Sequence, residues 1–173
     1  MALIMALLWV AAFLWSPQQR PLLTSAGLAA ALVCLTWFDV DHYRIPNWIT
    51  YPLIAAGLGL ASAGPQTNIL FHVAGAIAGY GFIWALNLYW QRQHGKDGIG
   101  MGDAKLLAGA GGWLGILALP MVTLVASGSA LALILLKALV TRKSVEAGQR
   151  LPFGPFIAIG FWAVWLLGPV FGL

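Results

Sequence analysis

Seven apolar stretches, separated by short polar or proline-containing segments, fill most of this sequence. Within lipid, only helices and closed barrels satisfy every backbone polar group, and these stretches lack the alternating pattern of barrel strands. Only 8% of the 173 residues are charged, which is too little to cover the surface of a soluble domain of this length. The pattern therefore predicts an all-α membrane protein, a polytopic helical bundle in the lipid bilayer.

The boundaries of the stretches set the predicted number of spans. Breaks are expected at residues 17–21 and 64–68 and at Pro120. The stretches run over residues 2–15, 22–38, 48–63, 69–90, 104–119, 121–140 and 153–171. A spanning helix needs roughly 20 residues, and the first and fifth stretches are shorter, so we predict about seven transmembrane helices with six as the alternative. Small residues spaced four apart, at Gly75–Gly79 and Gly111–Gly115, predict close packing of helices within the chain.

The basic side chains predict how the chain is oriented in the membrane. With seven spans, the second, fourth and sixth loops share one side, and the opposite loops carry only Arg20. The basic residues of the three even-numbered loops are Arg44, Arg92, Lys96, Arg142, Lys143 and Arg150. Because cytoplasmic loops are enriched in Lys and Arg, these loops and the N-terminus are expected in the cytoplasm. The same scatter over short loops indicates membrane orientation and no nucleic-acid binding.

Two of the five carboxylates, Asp39 and Asp103, lie at the ends of apolar stretches on the same predicted side. Ionisable groups at the boundary between membrane and water are functional candidates because they are costly to bury. Two carboxylates hydrolyse a peptide when one takes a proton from water and the other donates one, and held close together they share a single proton. Gly100 and Gly102 leave no side chain in front of Asp103, so a second backbone has room to approach. The alternative is that each aspartate merely caps a helix in the headgroup region, where Asp103, at a helix start, would favour the helix dipole.

Three sequence blocks carry a family resemblance. They are Phe38-Asp39 followed by Ile45-Pro-Asn-Trp-Ile-Thr50, then Gly100-Met-Gly-Asp-Ala-Lys-Leu-Leu107, and finally Leu151-Pro-Phe-Gly-Pro-Phe156. In this order, from about Leu22 onward, they resemble the bacterial prepilin peptidases (type IV leader peptidases), which are aspartyl proteases with a Gly-x-Gly-Asp motif. The presenilin-like proteases share the aspartate motifs but carry a late Pro-Ala-Leu motif, which this sequence lacks.

The resemblance implies a membrane aspartyl endopeptidase that removes the leader peptide of type IV pilin-like precursors (prepilins or pseudopilins) at the cytoplasmic side of the bacterial inner membrane. Asp39, seven residues before Pro46, and Asp103 would be the catalytic pair. Residues predicted to bind the substrate are Gly100, Gly102, Lys105, Pro152, Phe153, Gly154 and Pro155. Neither a metal nor an organic cofactor is expected.

The resemblance also shapes the predicted domain organisation. We expect one integral-membrane domain over residues 1–173, with an N-terminal anchor over 1–21 and the peptidase core over 22–173. Longer family members carry an N-terminal cytoplasmic domain with four zinc-binding cysteines. Because Cys34 is the single cysteine, the chain resembles the short form without that domain, and methyltransferase activity stays unassigned.

Other functions fit parts of the same pattern. A small transporter or proton-linked channel would use boundary carboxylates to relay protons or bind cations, but no symmetry between halves is evident. A non-catalytic assembly protein of a pilus system is a third class. Asp41 and His42 are interpreted as an exposed pair, and Lys105 as either a substrate-binding or a snorkelling side chain. The pattern does not define an oligomeric state.

Overall fold

The structure, a computed structural model, describes residues 22–64, 68–95, 98, 100–141 and 152–168. These residues form six α-helices and one short 3₁₀ turn, and they contain no β-strand. The helices are α1 (Leu22–His42), α2 (Asn47–Ala63), α3 (Ile69–His94), α4 (Met101–Leu114), α5 (Leu119–Thr141) and α6 (Gly154–Leu167), with the 3₁₀ turn (Ile116–Ala118) before α5. The all-α prediction is confirmed for this part of the chain.

Among the described residues, three segments are long and apolar enough to cross a membrane, judged by length and composition: Leu23–His42, Ile69–His94 and Ile116–Val140. α6 is apolar but shorter, at 14 residues. The predicted first span and the anchor over residues 1–21 lie outside the described residues, so the total of seven spans stays a prediction. Also outside them are Lys96, Arg142, Lys143, Arg150, Leu151 and the end of the seventh stretch.

The fifth and sixth apolar stretches are divided at Gly115, so the expected break at Pro120 was wrong. Gly115 has a φ of 84°, a left-handed value that glycine adopts without strain, and its N–H closes α4 by donating to the carbonyl of Gly111. Pro120 lies in the first turn of α5, where a helix needs no N–H donor. A proline is therefore as compatible with the start of a helix as with its end.

α4 is a short central helix. Its 14 residues rise about 21 Å, which is less than the roughly 30 Å of a bilayer core. From Asp103 to Trp113, every residue except Lys105 is buried. Because α2, α3 and α6 all pack against α4, its first turn is held in place from several sides.

Glycines bring the backbones of α3 and α4 together. A Cβ atom added to Gly75 would lie 2.6 Å from the carbonyl oxygen of Gly111, and one added to Gly79 would lie 2.5 Å from the carbonyl oxygen of Leu107. No side chain fits at such distances, so this close approach requires glycine. The interpretation of the small-residue spacing as internal helix packing is confirmed.

Two side chains add hydrogen bonds between α4 and its neighbours. The Trp113 indole N–H donates to the carbonyl of Leu53 in α2 at 2.7 Å. The His72 ring, in α3, donates from Nδ1 to the carbonyl of Gly112 at 3.0 Å. Each bond satisfies a polar group that would be costly to leave unpaired inside a helical bundle, and together they tie α2 and α3 to the same turn of α4.

One end of the bundle collects the ends of five helices. α1 and α3 end there, and α2, α4 and α6 begin there. We call it the aspartate end, because Asp39 lies in the last turn of α1 and Asp103 in the first turn of α4. The two residues are thus at the same end of the bundle, as predicted from the number of crossings between them.

Candidate active site

Asp39 lies in the last turn of α1, three residues before that helix ends. It is only 6% exposed, and its Oδ2 accepts a hydrogen bond from the backbone N–H of Gly154 at 3.0 Å. Gly154 begins α6, and the first N–H groups of a helix have no partner within the helix. The carboxylate therefore caps α6 from another helix and lies at the positive end of its dipole.

Asp103 is 7% exposed and lies in the first turn of α4. Its backbone N–H donates to the carbonyl of Gly100 at 3.0 Å. No donor among the described residues reaches its carboxylate, and the nearby charge that acts on it is Asp39. The structure therefore brings the two predicted aspartates into one buried, electrostatically interacting pair. Among the described residues, Asp39 alone of the two carboxylates accepts a backbone N–H.

The Ile45 side chain packs between the start of α4, at Gly102, and the start of α6, at Gly154. A Cβ atom added to Gly102 would lie 2.8 Å from the Cβ of Ile45, and one added to Gly154 would lie 3.1 Å from its Cδ1. The turn that carries Ile45 starts at Tyr43, which has a left-handed φ of 52° and whose N–H donates to the carbonyl of Asp39 at 2.9 Å. Glycine at both positions lets the starts of α4 and α6 close on the same side chain.

The two glycines before Asp103 have different surroundings. Gly102 faces Ile45, so the protein itself occupies the space of its missing side chain. Gly100 is exposed, and an added Cβ atom would make an ordinary contact of 3.5 Å with Oδ2 of Asp103. Of the two, Gly100 is the glycine with open space beside the carboxylate, and substrate binding by either remains a prediction.

Lys105 links the first turn of α4 to the first turn of α2. Its ammonium donates to Oδ1 of Asn47 at 2.6 Å and lies 5.5 Å from the centroid of the Tyr51 ring. The second contact is within the range of a cation–π interaction. The ammonium is thus held at the aspartate end, which is compatible with either interpretation of this lysine.

The late block sets where α6 begins. Pro152 and Phe153 are half-buried before the helix, and Pro155 is buried in its first turn. A proline there is compatible with the helix because its N–H is not needed. As a result, the N–H of Gly154, which has no partner within α6, donates to the Asp39 carboxylate.

Asp41 and His42 form the exposed pair that the sequence predicted. Nδ1 of His42 lies 3.5 Å from Oδ2 of Asp41, and both side chains are more than half exposed. Asp41 is therefore turned away from the buried pair that contains Asp39. Within the described ranges, no cluster of three or more His, Cys, Asp or Glu residues is arranged to hold a metal ion.

Sequence reasoning gave no role to three residues at this end. Ile45 and Asn47 belong to a quoted block, but their contacts are with residues more than fifty positions away. Asn87 is buried in α3 and accepts a hydrogen bond from the segment before Asp103. The available signal for Asn87 was a lone amide in an apolar run, which is costly unless it is paired.

Comparison with known proteins identifies the family that this chain resembles. The model of the type IV leader peptidase family matches residues 26–136. The prepilin leader peptidase/N-methyltransferase of Burkholderia pseudomallei (strain 1026b) is 40% identical over 153 residues, which cover 87% of this chain and 48% of that protein. Proteins of the same name from Aeromonas hydrophila and Pseudomonas aeruginosa are 36% and 34% identical, over 96% and 92% of this chain and 57% and 53% of theirs.

The chain belongs to the type IV leader peptidase family. It spans about half the length of the curated relatives that it matches. No solved structure matches it. Membership in a peptidase family does not favour the transporter alternative.

Proposed function

We propose that this chain is a membrane aspartyl endopeptidase that cleaves the leader peptide of type IV pilin-like precursors. The observation that supports this most directly is the buried pair Asp39 and Asp103 at one end of the bundle. The family and the relatives named prepilin leader peptidase/N-methyltransferase support the class of reaction and substrate. The family defines the substrate class, prepilins or pseudopilins, and does not identify an individual precursor.

The surroundings of the two carboxylates suggest different roles. The Gly154 N–H and the N-terminus of α6 stabilise negative charge on Asp39. Asp103 has no such donor among the described residues and is subject to the charge of its partner. With one proton shared by the pair, we assign the proton to Asp103 and the charge to Asp39, which makes Asp39 the base and Asp103 the acid.

The reaction then proceeds by general acid–base catalysis. Asp39 takes a proton from a water molecule while the water oxygen attacks the scissile carbonyl carbon. Asp103 then donates its proton to the amine nitrogen as the carbon–nitrogen bond breaks and the oxyanion collapses to the carboxylic acid. The pair starts and ends with one proton, which has moved from Asp103 to Asp39, and its return to Asp103 restores the starting state.

The predicted substrate-binding residues border this pair. Gly100 provides open space beside Asp103, which we propose admits the backbone around the scissile bond. Lys105 and the late block lie at the same end, through their contacts with α2 and with Asp39. Cleavage would therefore take place at the membrane surface, where a precursor passes from water into lipid.

Cleavage of a precursor by the purified protein tests this proposal. In detergent or liposomes, the protein should cleave a pilin-like precursor at a single bond, with a bell-shaped dependence of kcat/KM on pH. Activity is lost at low pH because Asp39 binds a proton, and at high pH because Asp103 loses its proton; the two limbs report apparent values of the pair. Absence of cleavage at every pH, with folded protein and several precursors, would refute the proposed function.

We also propose that the aspartate end faces the cytoplasm of a bacterial inner membrane. Arg44 and Arg92 lie at this end of the bundle, in the turn after α1 and in the last turn of α3. Excess basic charge is typical of cytoplasmic loops. The proposal agrees with cleavage at the cytoplasmic side, which the family resemblance implies.

Single cysteines test this orientation. In a Cys34→Ser background, Arg44→Cys and His94→Cys should resist a membrane-impermeant thiol reagent in intact spheroplasts and react after permeabilisation. Ser62→Cys, which is exposed near the end of α2 at the opposite end of the bundle, should react in both cases. The reverse pattern, with only the first two positions labelled from outside, would show that the orientation is inverted.

A further inference from the structure

Asn87 is a buried amide in the C-terminal half of α3. It is 5% exposed, while its neighbours along the helix are mostly apolar. Burying an amide without hydrogen bonds costs several kcal/mol in an apolar medium, so the side chain must be used by the fold. The proposed acid–base mechanism gives no role to this side chain.

Two contacts of Asn87 are with residues that lead into the second aspartate. Its Oδ1 accepts a hydrogen bond from the backbone N–H of Gly98 at 2.9 Å. Its Nδ2 lies 4.0 Å from the sulfur of Met101, a weak acceptor. One amide therefore contacts both Gly98 and Met101, and Met101 is two residues before Asp103.

Trp90, one turn further along α3, limits the same segment from another side. A Cβ atom added to Gly98 would lie 2.6 Å from Cγ and Cδ1 of Trp90, so the backbone passes directly over the indole. The indole in turn stacks on the His94 ring, with centroids 4.1 Å apart. The last turns of α3 thus form a seat for Gly98, which consists of the Asn87 amide and the Trp90 indole.

The start of α4 depends on this seat because the helix has no side-chain cap of its own. Gly100 is its N-cap residue and has no side chain to accept the first N–H groups. The Asp103 N–H instead closes the first turn on the carbonyl of Gly100. A shift of Gly98 or Gly100 would therefore move the first turn of α4, and with it the Asp103 carboxylate.

We propose that Asn87 is a positioning residue that acts through its contacts with Gly98 and Met101 to hold the Asp103 carboxylate opposite Asp39. The role rests on the proposed peptidase function, since it concerns the geometry of that reaction. Asn87 touches neither carboxylate and takes no part in proton transfer. Its effect should therefore appear in the chemical step more than in substrate binding.

Steady-state kinetics on the full chain in liposomes, with a pilin-like precursor, tests the proposal. Asn87→Leu keeps the approximate volume and removes the polar contacts with Gly98 and Met101. We expect kcat to fall by about a hundredfold with KM little changed, because small misplacements of reacting groups cost about that much. Asn87→Asp keeps an acceptor for the Gly98 N–H and should restore most of kcat. Asn68→Leu is the matched control: it removes an acceptor for a backbone N–H at the other end of α3 and should leave kcat unchanged.

Hydrogen exchange supplies a readout that does not need activity. The Gly98 amide should exchange faster in Asn87→Leu than in the native chain or in Asn68→Leu. If the native chain does not cleave the precursor, the proposed function fails while the exchange result still decides whether Asn87 holds this segment. If it does cleave, then unchanged kcat in Asn87→Leu, a loss confined to KM, or no recovery in Asn87→Asp would overturn the inference.

Folding of the variants is checked by their accumulation in membranes and by size-exclusion chromatography. Asn87→Ala, which introduces no extra apolar volume beside Gly98, replaces Asn87→Leu if the latter does not accumulate. If both variants fail to accumulate while Asn87→Asp does, the amide serves folding of the whole bundle, and the positioning role is rejected.

Discussion

Asp39→Asn and Asp103→Asn should each reduce precursor cleavage by at least about a hundredfold, the usual minimum contribution of a general acid or base. Asn has nearly the shape of Asp, so packing around the buried pair is retained while a proton carrier is lost. In Asp39→Asn no carboxylate remains to take the proton from water. In Asp103→Asn the base is present, but the leaving amine receives no proton.

Asp41→Asn is the matched control for this pair. Asp41 is two residues from Asp39, but it is exposed and faces His42, so its variant should keep most of the activity. Gel-shift analysis of precursor processing, in membranes that hold equal amounts of each variant, measures the three together. Full activity of Asp39→Asn, or a larger loss in Asp41→Asn, would show that the first catalytic residue has been misassigned.

The helices and the common end of the two aspartates follow from short-range features of the sequence. α2 was expected over 48–63 and runs over Asn47–Ala63, because a polar turn and a proline–asparagine pair bracket an apolar run. The relative placement of Asp39 and Asp103 needed only a count of crossings. Helix bounds and the number of crossings depend on local sequence, so they can be predicted without knowing which helices are in contact.

The contacts that complete the candidate site are not local. The hydrogen bond from Gly154 to Asp39 joins residues 115 positions apart, and no spacing rule predicts which helix start meets a carboxylate. The same holds for Ile45, whose importance depends on glycines in two other blocks. Gly102 is predicted from the sequence to leave room for substrate, and in the fold Ile45, in the turn before α2, occupies the space of its missing side chain. That contact becomes visible only once this turn and α4 are packed together.

The difference between the two carboxylates also comes from tertiary structure. Both look alike in the sequence, each next to an apolar run and each in a motif of the family. In the folded chain α6 begins beside Asp39 and gives it an N–H donor, and Asp103 is left with the charge of its partner. The assignment of base and acid therefore depends on the start of α6, and a change at Gly154 should test it.

Gly154→Ala should lower kcat strongly, by about a hundredfold, with a smaller effect on KM, because small misplacements of a catalytic group carry costs of that size. A Cβ atom at this position would lie 2.6 Å from Oδ2 and 3.0 Å from Cγ of Asp39 and 3.1 Å from Cδ1 of Ile45. Real Cβ atoms essentially never lie within 3.0 Å of another heavy atom, so Oδ2 of Asp39, at 2.6 Å, must move. Its hydrogen bond to the backbone of α6 is then lengthened or lost.

The pH profile separates this effect from general damage to the fold. An N–H donor favours the ionised form of a carboxylate, so a weakened bond lets Asp39 bind its proton at higher pH, and the acid limb of the profile should move upward while the alkaline limb stays in place. Gly128→Ala is the control, because it makes the same change in a helix where an added Cβ meets no atom within 4 Å, and it should leave kcat and both limbs unchanged. If Gly154→Ala retains native kcat, or if its profile moves at the alkaline limb instead, then Asp39 is not the base, and the roles of the two aspartates must be exchanged.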